Sequence, residues 1–174
     1  MITIVCGTNR KDSITLKVVT FYKEILKSKG QQTSIINLED LPDDFIKSAL
    51  YENTGMNDDF NKFQEKVDTC EKFVFVTPEY NGSFPGVLKA FIDGMRFPGT
   101  FEGKKCALVG LSAGTQGAAL AMSHLTDIFN YLGMNVLANK PRLPLLDTKM
   151  NGDRIIDSEY IQLLEEQAEQ LIGF

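Results

Sequence analysis

The chain alternates short, continuously apolar segments with longer segments of helical periodicity, and this alternation constrains the fold most. Continuous apolar runs are typical of strands in a parallel sheet, because helices cover both of its faces. The pattern predicts an α/β protein with three layers: a five-stranded parallel sheet of order 2-1-3-4-5 between two layers of helices. Predicted strands lie at residues 2–6, 33–38, 73–77, 107–111 and 134–137, and predicted helices at 13–29, 45–50, 58–70, 86–95, 116–132 and 158–172.

Composition restricts the class of protein further. A length of 174 residues, 43% of them hydrophobic, favours a single domain over residues 1–174 with its own core. The formal net charge of −5 argues against a nucleic-acid partner, which would require a basic face. No apolar run approaches the length of a membrane span, and the first residues resemble a strand rather than a signal peptide. We therefore expect a cytoplasmic protein without a membrane partner.

Cysteine and histidine are too few and too scattered to indicate a metal site. The three cysteines, Cys6, Cys70 and Cys106, have no metal-ligand spacing and no C-x-x-C motif. Cys6 and Cys106 fall in apolar strand patterns and are expected in the core. The single histidine, His124, falls inside a helical pattern and is interpreted as structural or exposed. We therefore expect no bound metal.

The segment after the third predicted strand carries the densest run of special residues. It reads Thr-Pro-Glu-Tyr-Asn-Gly-Ser-Phe-Pro-Gly-Val-Leu-Lys over residues 77–89. Ligands bind at the carboxyl ends of strands in open α/β sheets, and this segment occupies such an end. Its two prolines fix φ, whereas Gly82 and Gly86 permit a close approach of the backbone to a ligand. The pattern favours a shaped loop with free amides, suited to the edge of a flat polar ring.

The loop after the first predicted strand has the parts of a phosphate site. Thr8, Ser13 and Thr15 supply hydroxyl groups. Arg10 supplies a planar cationic fork, and the start of the following helix adds amides and a partial positive charge. Helix capping by Asp12 or Ser13 explains the same residues equally well when this loop is considered alone.

A third loop follows the fourth predicted strand and is rich in small residues. Ser112, Ala113 and Gly114 lie in it. Small residues are common where a strand turns into a helix, so this loop alone is a weak signal. The carboxyl ends of parallel strands share one edge of a sheet, and the loops after strands one, three and four are therefore predicted to meet at one crevice.

The three loops resemble the motifs of the NAD(P)H-dependent FMN reductase family. The segment from Pro78 to Lys89 is similar to the family signature P-E-Y-N-G-S-x-P-G-x-L-K. The first loop resembles the family's phosphate loop G-S-x-R-x-x-S-x-N, with Thr8 in place of the serine and Thr15 in place of the asparagine. The third loop resembles S-x-G-x-x-G, although Ala118 replaces a further glycine and Thr126 replaces an arginine.

This resemblance implies a flavodoxin-like fold and a bound FMN. It implies that NADPH or NADH gives a hydride to FMN, that a quinone, an azo compound or free flavin then takes the electrons, and that no side chain is catalytic. A homodimer or homotetramer is implied as well. The cofactor-binding residues that the resemblance implies are Thr8, Arg10, Ser13, Thr15, Pro78, Glu79, Tyr80, Asn81, Gly82, Ser83, Ser112, Ala113 and Gly114.

Individual residues near these motifs have less defined roles. Tyr80 is expected beside the flavin or the incoming nicotinamide, and Glu79 is expected to act through its backbone rather than as a base. Arg96 is interpreted as a solvent-facing residue, with an NADPH phosphate or a dimer interface as alternatives. Residues 97–105 depart from the stretch that the resemblance leads us to expect. The sequence leaves open the physiological acceptor and the choice between NADPH and NADH.

Two other functions are compatible with the same fold. One is a flavodoxin-type electron carrier, although the phosphate loop of a carrier typically lacks an arginine at the place of Arg10. The other is a flavin-free binding or regulatory module. Negligible oxidation of NAD(P)H by the FMN-loaded protein favours the carrier, and failure to take up FMN favours the module.

Overall fold

A computed structural model describes all 174 residues and places the predicted strands in one parallel sheet. Its strands lie in the order β2-β1-β3-β4-β5, and every neighbouring pair is parallel. The predicted strand order and the flavodoxin-like α/β fold are confirmed. The strands are β1 (Ile2–Cys6), β2 (Thr33–Asn37), β3 (Lys72–Pro78), β4 (Lys105–Leu111), β5 (Asn135–Val136) and β6 (Arg142–Leu143).

All six predicted helices are present, and one begins later than expected. The predicted start at residue 116 is wrong because Gly117 and Ala118 have φ of +58° and +60°. These left-handed conformations cannot continue into a right-handed helix, which therefore begins at Ala119. The helices are α1 (Ile14–Ser28), α2 (Phe45–Ser48), α3 (Asp58–Asp68), α4 (Gly86–Gly94), α5 (Ala119–Tyr131) and α6 (Ser158–Gly173).

The fifth position of the sheet is divided between two short strands, where the sequence predicts one strand at 134–137. β5 pairs with the start of β4 and β6 pairs with its end. Between them, the carbonyl of Leu108 accepts a hydrogen bond from Nε2 of Gln167 on α6 (2.8 Å) instead of from a strand. The same nitrogen donates to the Asn139 carbonyl (2.9 Å), and Pro141 has no N–H to continue a ladder. A side chain thus replaces the missing stretch of strand.

A second sheet, which the sequence analysis did not predict, is a small antiparallel hairpin of β7 (Met150–Asn151) and β8 (Arg154–Ile155). It follows a 3₁₀ turn at Leu146–Lys149. Each hairpin strand has two residues. Such a length is too short for an alternating pattern to be recognised.

The core has two parts, one on each face of the sheet. On one face, Val5, Phe75 and Leu108 pack among side chains of α2, α3, α4 and α5. On the other, Ile4 and Val76 pack among side chains of α1 and α6. Residues adjacent along a strand belong to opposite parts, which is why the strands are apolar throughout. The three layers leave the loops at the strand ends to form the surface clefts.

Cys6, Cys70 and Cys106 are buried free thiols. Burial raises the pKa of Cys6 to about 11 and that of Cys106 to about 12, so both remain protonated and chemically inert. This agrees with the predicted core positions of Cys6 and Cys106. No helix has the length and hydrophobicity required to cross a bilayer. No group of three or more acidic, cysteine or histidine side chains is arranged to hold a metal ion.

Candidate functional site

A cleft of about 530 Å³ lies at the carboxyl edge of the sheet, between the loops that follow β1, β3 and β4. Its volume lies within the range typical of ligand sites. The position between β1 and β3 is also where the strand order 2-1-3-4-5 reverses, and this is the usual ligand position in such sheets. The lining residues are Arg10, Lys11, Asp12, Ser13, Ile14, Thr15, Pro78, Glu79, Tyr80, Leu111, Ser112, Ala113, Leu146 and Asp147.

The phosphate loop, residues 7–13, is held against β3 by its first residue. The Gly7 N–H donates to the Val76 carbonyl at 2.8 Å. A Cβ at Gly7 would lie 2.8 Å from that carbonyl oxygen, so the position requires glycine. The loop thereby leaves β1 close to the backbone of β3 and brings Arg10 to the cleft.

Ser13 caps α1, which decides between the two capping residues that the sequence allows. Its Oγ accepts a hydrogen bond from the Leu16 N–H at 3.2 Å, and Asp12 instead adopts a left-handed φ of 51°. Ser13 also lines the cleft, so the capping residue and the candidate ligand residue are the same. The α1 N-terminus therefore faces the cleft, where its partial positive charge favours an anion.

Arg10 is exposed on the cleft and forms no ion pair with an acidic side chain. Lys11 lines the same wall. The carboxylates on the cleft are those of Asp12, Glu79 and Asp147. Of these, Glu79 is already engaged, because its Oε2 accepts from the Ala118 N–H at 3.0 Å. The unpaired guanidinium is available to a ligand anion.

Residues 80–83 form a tight turn after β3. Tyr80 and Ser83 exchange backbone hydrogen bonds of 2.8 and 3.1 Å. Asn81 and Gly82 between them have φ of 52° and 73°, which is the two-residue turn that Asn-Gly favours. The amides of Asn81 and Gly82 make no backbone hydrogen bond and remain free. The predicted shaped loop with free amides is therefore present.

The third loop, residues 112–118, is held by hydrogen bonds within it, by a hydrogen bond to Glu79 and by close packing at Gly117. Ser112 Oγ donates to the Gly114 carbonyl (2.8 Å) and accepts from the Gly117 N–H (2.9 Å). The Glu79 carboxylate, in the segment that follows β3, accepts a hydrogen bond from the Ala118 N–H. It therefore joins that segment to the third loop. A Cβ at Gly117 would lie 2.9 Å from the Cβ of Arg142, which makes glycine necessary there. Ser112 and Ala113 are thereby held on the cleft wall.

Thr8 lies behind the cleft rather than on it. Its side chain is only 1% exposed, and its Oγ1 lies 2.9 Å from the hydroxyl of Tyr80. The Arg10 N–H also donates to Thr8 Oγ1, at 3.2 Å. Tyr80 itself lines the cleft and is 38% exposed. The Tyr80 side chain thus reaches from the turn after β3 to the phosphate loop after β1.

Eight of the predicted site residues line the cleft, and five do not. The eight are Arg10, Ser13, Thr15, Pro78, Glu79, Tyr80, Ser112 and Ala113; the five are Thr8, Asn81, Gly82, Ser83 and Gly114. Among the five, Ser83 bonds His124 Nδ1 through its Oγ at 2.9 Å, so His124 supports the turn from α5.

Leu146 and Asp147 line the cleft without having been predicted. They belong to the 3₁₀ turn after β6 and reach the site because the Leu146 N–H donates to the Ser112 carbonyl at 3.2 Å. No local motif marks them, since the contact joins segments more than thirty residues apart. Lys11, Asp12 and Ile14 were missed for a simpler reason: they are the non-motif positions of a loop that was correctly placed.

Arg96 lies on a different surface from the cleft. Its guanidinium forms an ion pair with Asp68 at 2.7 Å and remains largely exposed, as the solvent-facing interpretation expects. Of the nearby aromatic residues, Phe91 and Phe101 are buried and Phe97 is 72% exposed. This surface, between α4 and α5, is a mainly apolar groove of about 450 Å³.

The sheet order and the cleft at its switch point define a flavodoxin-like protein. The solved structure of FerB, a flavoenzyme NAD(P)H:(acceptor) oxidoreductase from Paracoccus denitrificans, shares this fold. It superposes with a TM-score of 0.82 at 21% identity, covering 99% of this chain and 94% of that one.

Sequence comparisons identify the family. The profile of the NADPH-dependent FMN reductase family matches residues 1–142, and the chain belongs to that family. It is 35% identical over 115 residues to an NAD(P)H-dependent FMN reductase of Pseudomonas aeruginosa; the match covers 63% of this chain and 62% of the relative, less than two thirds of its length. It is 30% identical over 161 residues to the NAD(P)H:quinone oxidoreductase of Solanum tuberosum, covering 88% of this chain and 81% of that one.

The residues of the cleft fit FMN. A phosphate monoester matches the unpaired Arg10 guanidinium and the α1 N-terminus. Beside the cleft, the turn after β3 offers free amides, which match the polar edge of a flat ring. The donors are therefore cationic on the cleft wall and neutral amides next to it, as this cofactor requires.

Proposed function

We propose that the protein is an FMN-dependent NAD(P)H oxidoreductase that transfers electrons to a small-molecule acceptor. The observation that carries this proposal is the cleft that an unpaired arginine and a helix N-terminus line together, with a turn that has free amides directly beside it. Family membership supports it. When bound, FMN would accept a hydride from NAD(P)H and pass the electrons on.

The chain's own contribution is to bind and orient. We assign the phosphate end to Arg10, Ser13 and Thr15, and the ring end to residues 78–83 and 112–114. Glu79 joins two of the loops, because its carboxylate accepts a hydrogen bond from the Ala118 N–H. No side chain is required to move a proton, because hydride transfer depends on orientation. Leu111 and Leu146 form the apolar part of the wall that excludes water.

A quinone is the acceptor class that we favour, with azo compounds and free flavin as alternatives. The support is that the relatives include an NAD(P)H:quinone oxidoreductase from Solanum tuberosum and a quinone reductase from Pseudomonas putida. We expect no nucleic-acid or membrane partner, in keeping with the net charge of −5. A cytoplasmic location suits three cysteines that are all unpaired.

We further propose that the protein is a homodimer or a homotetramer, assembled through the groove between α4 and α5. Phe97 and Tyr131 are 72% and 81% exposed at this groove. The groove also carries charges of both signs, from Lys89, Asp93 and Asp127 among others. Apolar residues flanked by both signs of charge suit a two-fold interface, in which one surface must complement itself.

The test is an absorbance scan of the purified protein with added FMN, before and after anaerobic addition of NADPH. We expect a bound flavin band that bleaches within seconds. If NADPH leaves the band unchanged, the titration is repeated with NADH. Failure of both contradicts the reductase and supports the carrier, whereas failure to bind FMN at all supports the flavin-free module.

A further inference from the structure

Two hydroxyl groups from distant parts of the chain meet beside the cleft. Thr8 Oγ1 and the Tyr80 hydroxyl are 2.9 Å apart, although 72 residues separate them in sequence. Thr8 is 1% exposed and does not line the cleft, whereas Tyr80 is 38% exposed and does. The buried hydroxyl therefore does not face the cleft itself but contacts the hydroxyl of a side chain that does.

The direction of this hydrogen bond follows from counting protons. A threonine hydroxyl has one proton and two acceptor positions. The Arg10 N–H fills one acceptor position of Thr8 at 3.2 Å. If Tyr80 filled the second, the Thr8 proton would be buried without an acceptor, which is costly. Thr8 therefore donates to Tyr80, and the proton of Tyr80 remains free to point into the cleft.

The result is a chain of three donors that ends in the cleft. It runs from the Arg10 N–H through the Thr8 hydroxyl to the Tyr80 hydroxyl. Each hydroxyl that accepts a hydrogen bond becomes a better donor, so the last proton in the chain is the most polarised. A phenol in this position is suited to an anion that is also held by the Arg10 guanidinium.

We propose that the Tyr80 hydroxyl donates a hydrogen bond to the phosphate of FMN, and that Thr8 is a positioning residue that acts through Tyr80. This inference rests on the proposed function. It assigns to the Tyr80 hydroxyl a different place from the one beside the ring or the nicotinamide. It also makes Tyr80 a determinant of specificity, because the contact exists for FMN and not for riboflavin, which lacks the phosphate.

The experiment compares the binding of FMN and riboflavin to flavin-free protein by quenching of flavin fluorescence. Tyr80→Phe removes only the hydroxyl, so ring packing is retained. We expect a loss in FMN affinity of about 10- to 100-fold, the range for a hydrogen bond to a charged group, with riboflavin affinity changed less than about threefold. Tyr51→Phe is the matched control, since Tyr51 is exposed and does not line the cleft, and we expect it to change neither affinity.

Substitutions at Thr8 test the positioning role. Thr8→Ser keeps the hydroxyl and should leave the ratio of FMN affinity to riboflavin affinity unchanged. Thr8→Val removes the hydroxyl and should lower this ratio. Because the two hydroxyls form one chain, Thr8→Val combined with Tyr80→Phe should lose little more FMN affinity than the more damaging single variant. A purely structural role of Thr8 would lower both affinities together and would leave the ratio unchanged.

Three results overturn the inference. If the wild type binds FMN and Tyr80→Phe leaves the ratio of FMN affinity to riboflavin affinity unchanged, the inference is overturned and the proposed function stays intact. If the losses in FMN affinity of Thr8→Val and Tyr80→Phe multiply in the double variant, Thr8 does not act through Tyr80, and that part of the inference is overturned. A wild-type protein that binds no FMN overturns the inference and the proposed function together.

Discussion

We expect recognition of a phosphate to depend most on Arg10. It is the cleft residue that combines a full positive charge with five fixed donors, and no carboxylate neutralises it. Ser13, by contrast, has its Oγ engaged in capping α1. The two residues come from one motif but differ in how much of their hydrogen-bonding capacity remains for a ligand.

Replacing Arg10 by alanine should weaken FMN binding by about 10- to 100-fold, because one charge-assisted contact contributes about 1.5–3 kcal/mol. Fluorescence titration of FMN measures this, and riboflavin affinity should change little. Arg154→Ala is the matched control, since Arg154 is exposed and pairs only with Glu24. Equal FMN affinity in Arg10→Ala and wild type would contradict the assignment of the phosphate end.

Gly7→Ala should destabilise the fold and distort the phosphate loop. The added Cβ would meet the Val76 carbonyl oxygen at 2.8 Å, a backbone atom that cannot move aside alone. We expect the free energy of unfolding to fall by about 1–3 kcal/mol, as for overpacked sites. Urea denaturation measures this. Gly86→Ala is the control: a Cβ there meets no atom within 4 Å, and unfolding should be unaffected or slightly harder.

At the scale of elements, the pattern of apolar segments predicted the six helices and the order of strands in the parallel sheet, but not the small hairpin of β7 and β8. It did not predict the divided fifth position. The gap opposite Leu108 is filled by Gln167, a residue of α6 that reads as an ordinary polar helix position in sequence. The same limit applies to the site. Motif residues were predicted because their chemistry is local, whereas Leu146 and Asp147 reach the cleft through a contact between distant segments.

Gln167→Ala should test whether this side chain holds the divided strand in place. Gln167 is fully buried, and its loss leaves the Leu108 carbonyl, the Asn139 carbonyl and the Tyr22 hydroxyl without their partner. Each unsatisfied buried group costs about 1–3 kcal/mol and three groups lose their partner, so we expect the free energy of unfolding to fall by at least about 3 kcal/mol. Chemical denaturation of Gln170→Ala, an exposed position on the same helix, should show almost no change.

At the scale of the whole molecule, the two candidate surfaces are separate. The cleft lies at the carboxyl edge of the sheet, and the groove lies between α4 and α5. They share no lining residue. Cofactor binding and association of subunits can therefore be altered one at a time, and a variant in the groove is a clean test of assembly.

Phe97→Asp should convert the assembled protein to a single chain in solution. The substitution places a charge at an exposed aromatic position of a mainly apolar groove, where a partner would have to bury it. Light scattering coupled to size-exclusion chromatography measures the mass. Ile46→Asp, at another exposed hydrophobic residue, should leave the mass unchanged. A wild-type protein with the mass of one chain would rule out the homo-oligomer.

The divided fifth strand also bears on how the protein avoids aggregation. An uninterrupted strand at the edge of a sheet offers a row of unpaired backbone groups on which another chain can add a strand. Here that edge consists of two strands of two residues each, with Lys140 and Pro141 between them. Neither strand is long enough to template a further one. The interruption that made this edge hard to predict therefore protects this edge of the sheet from the addition of another chain.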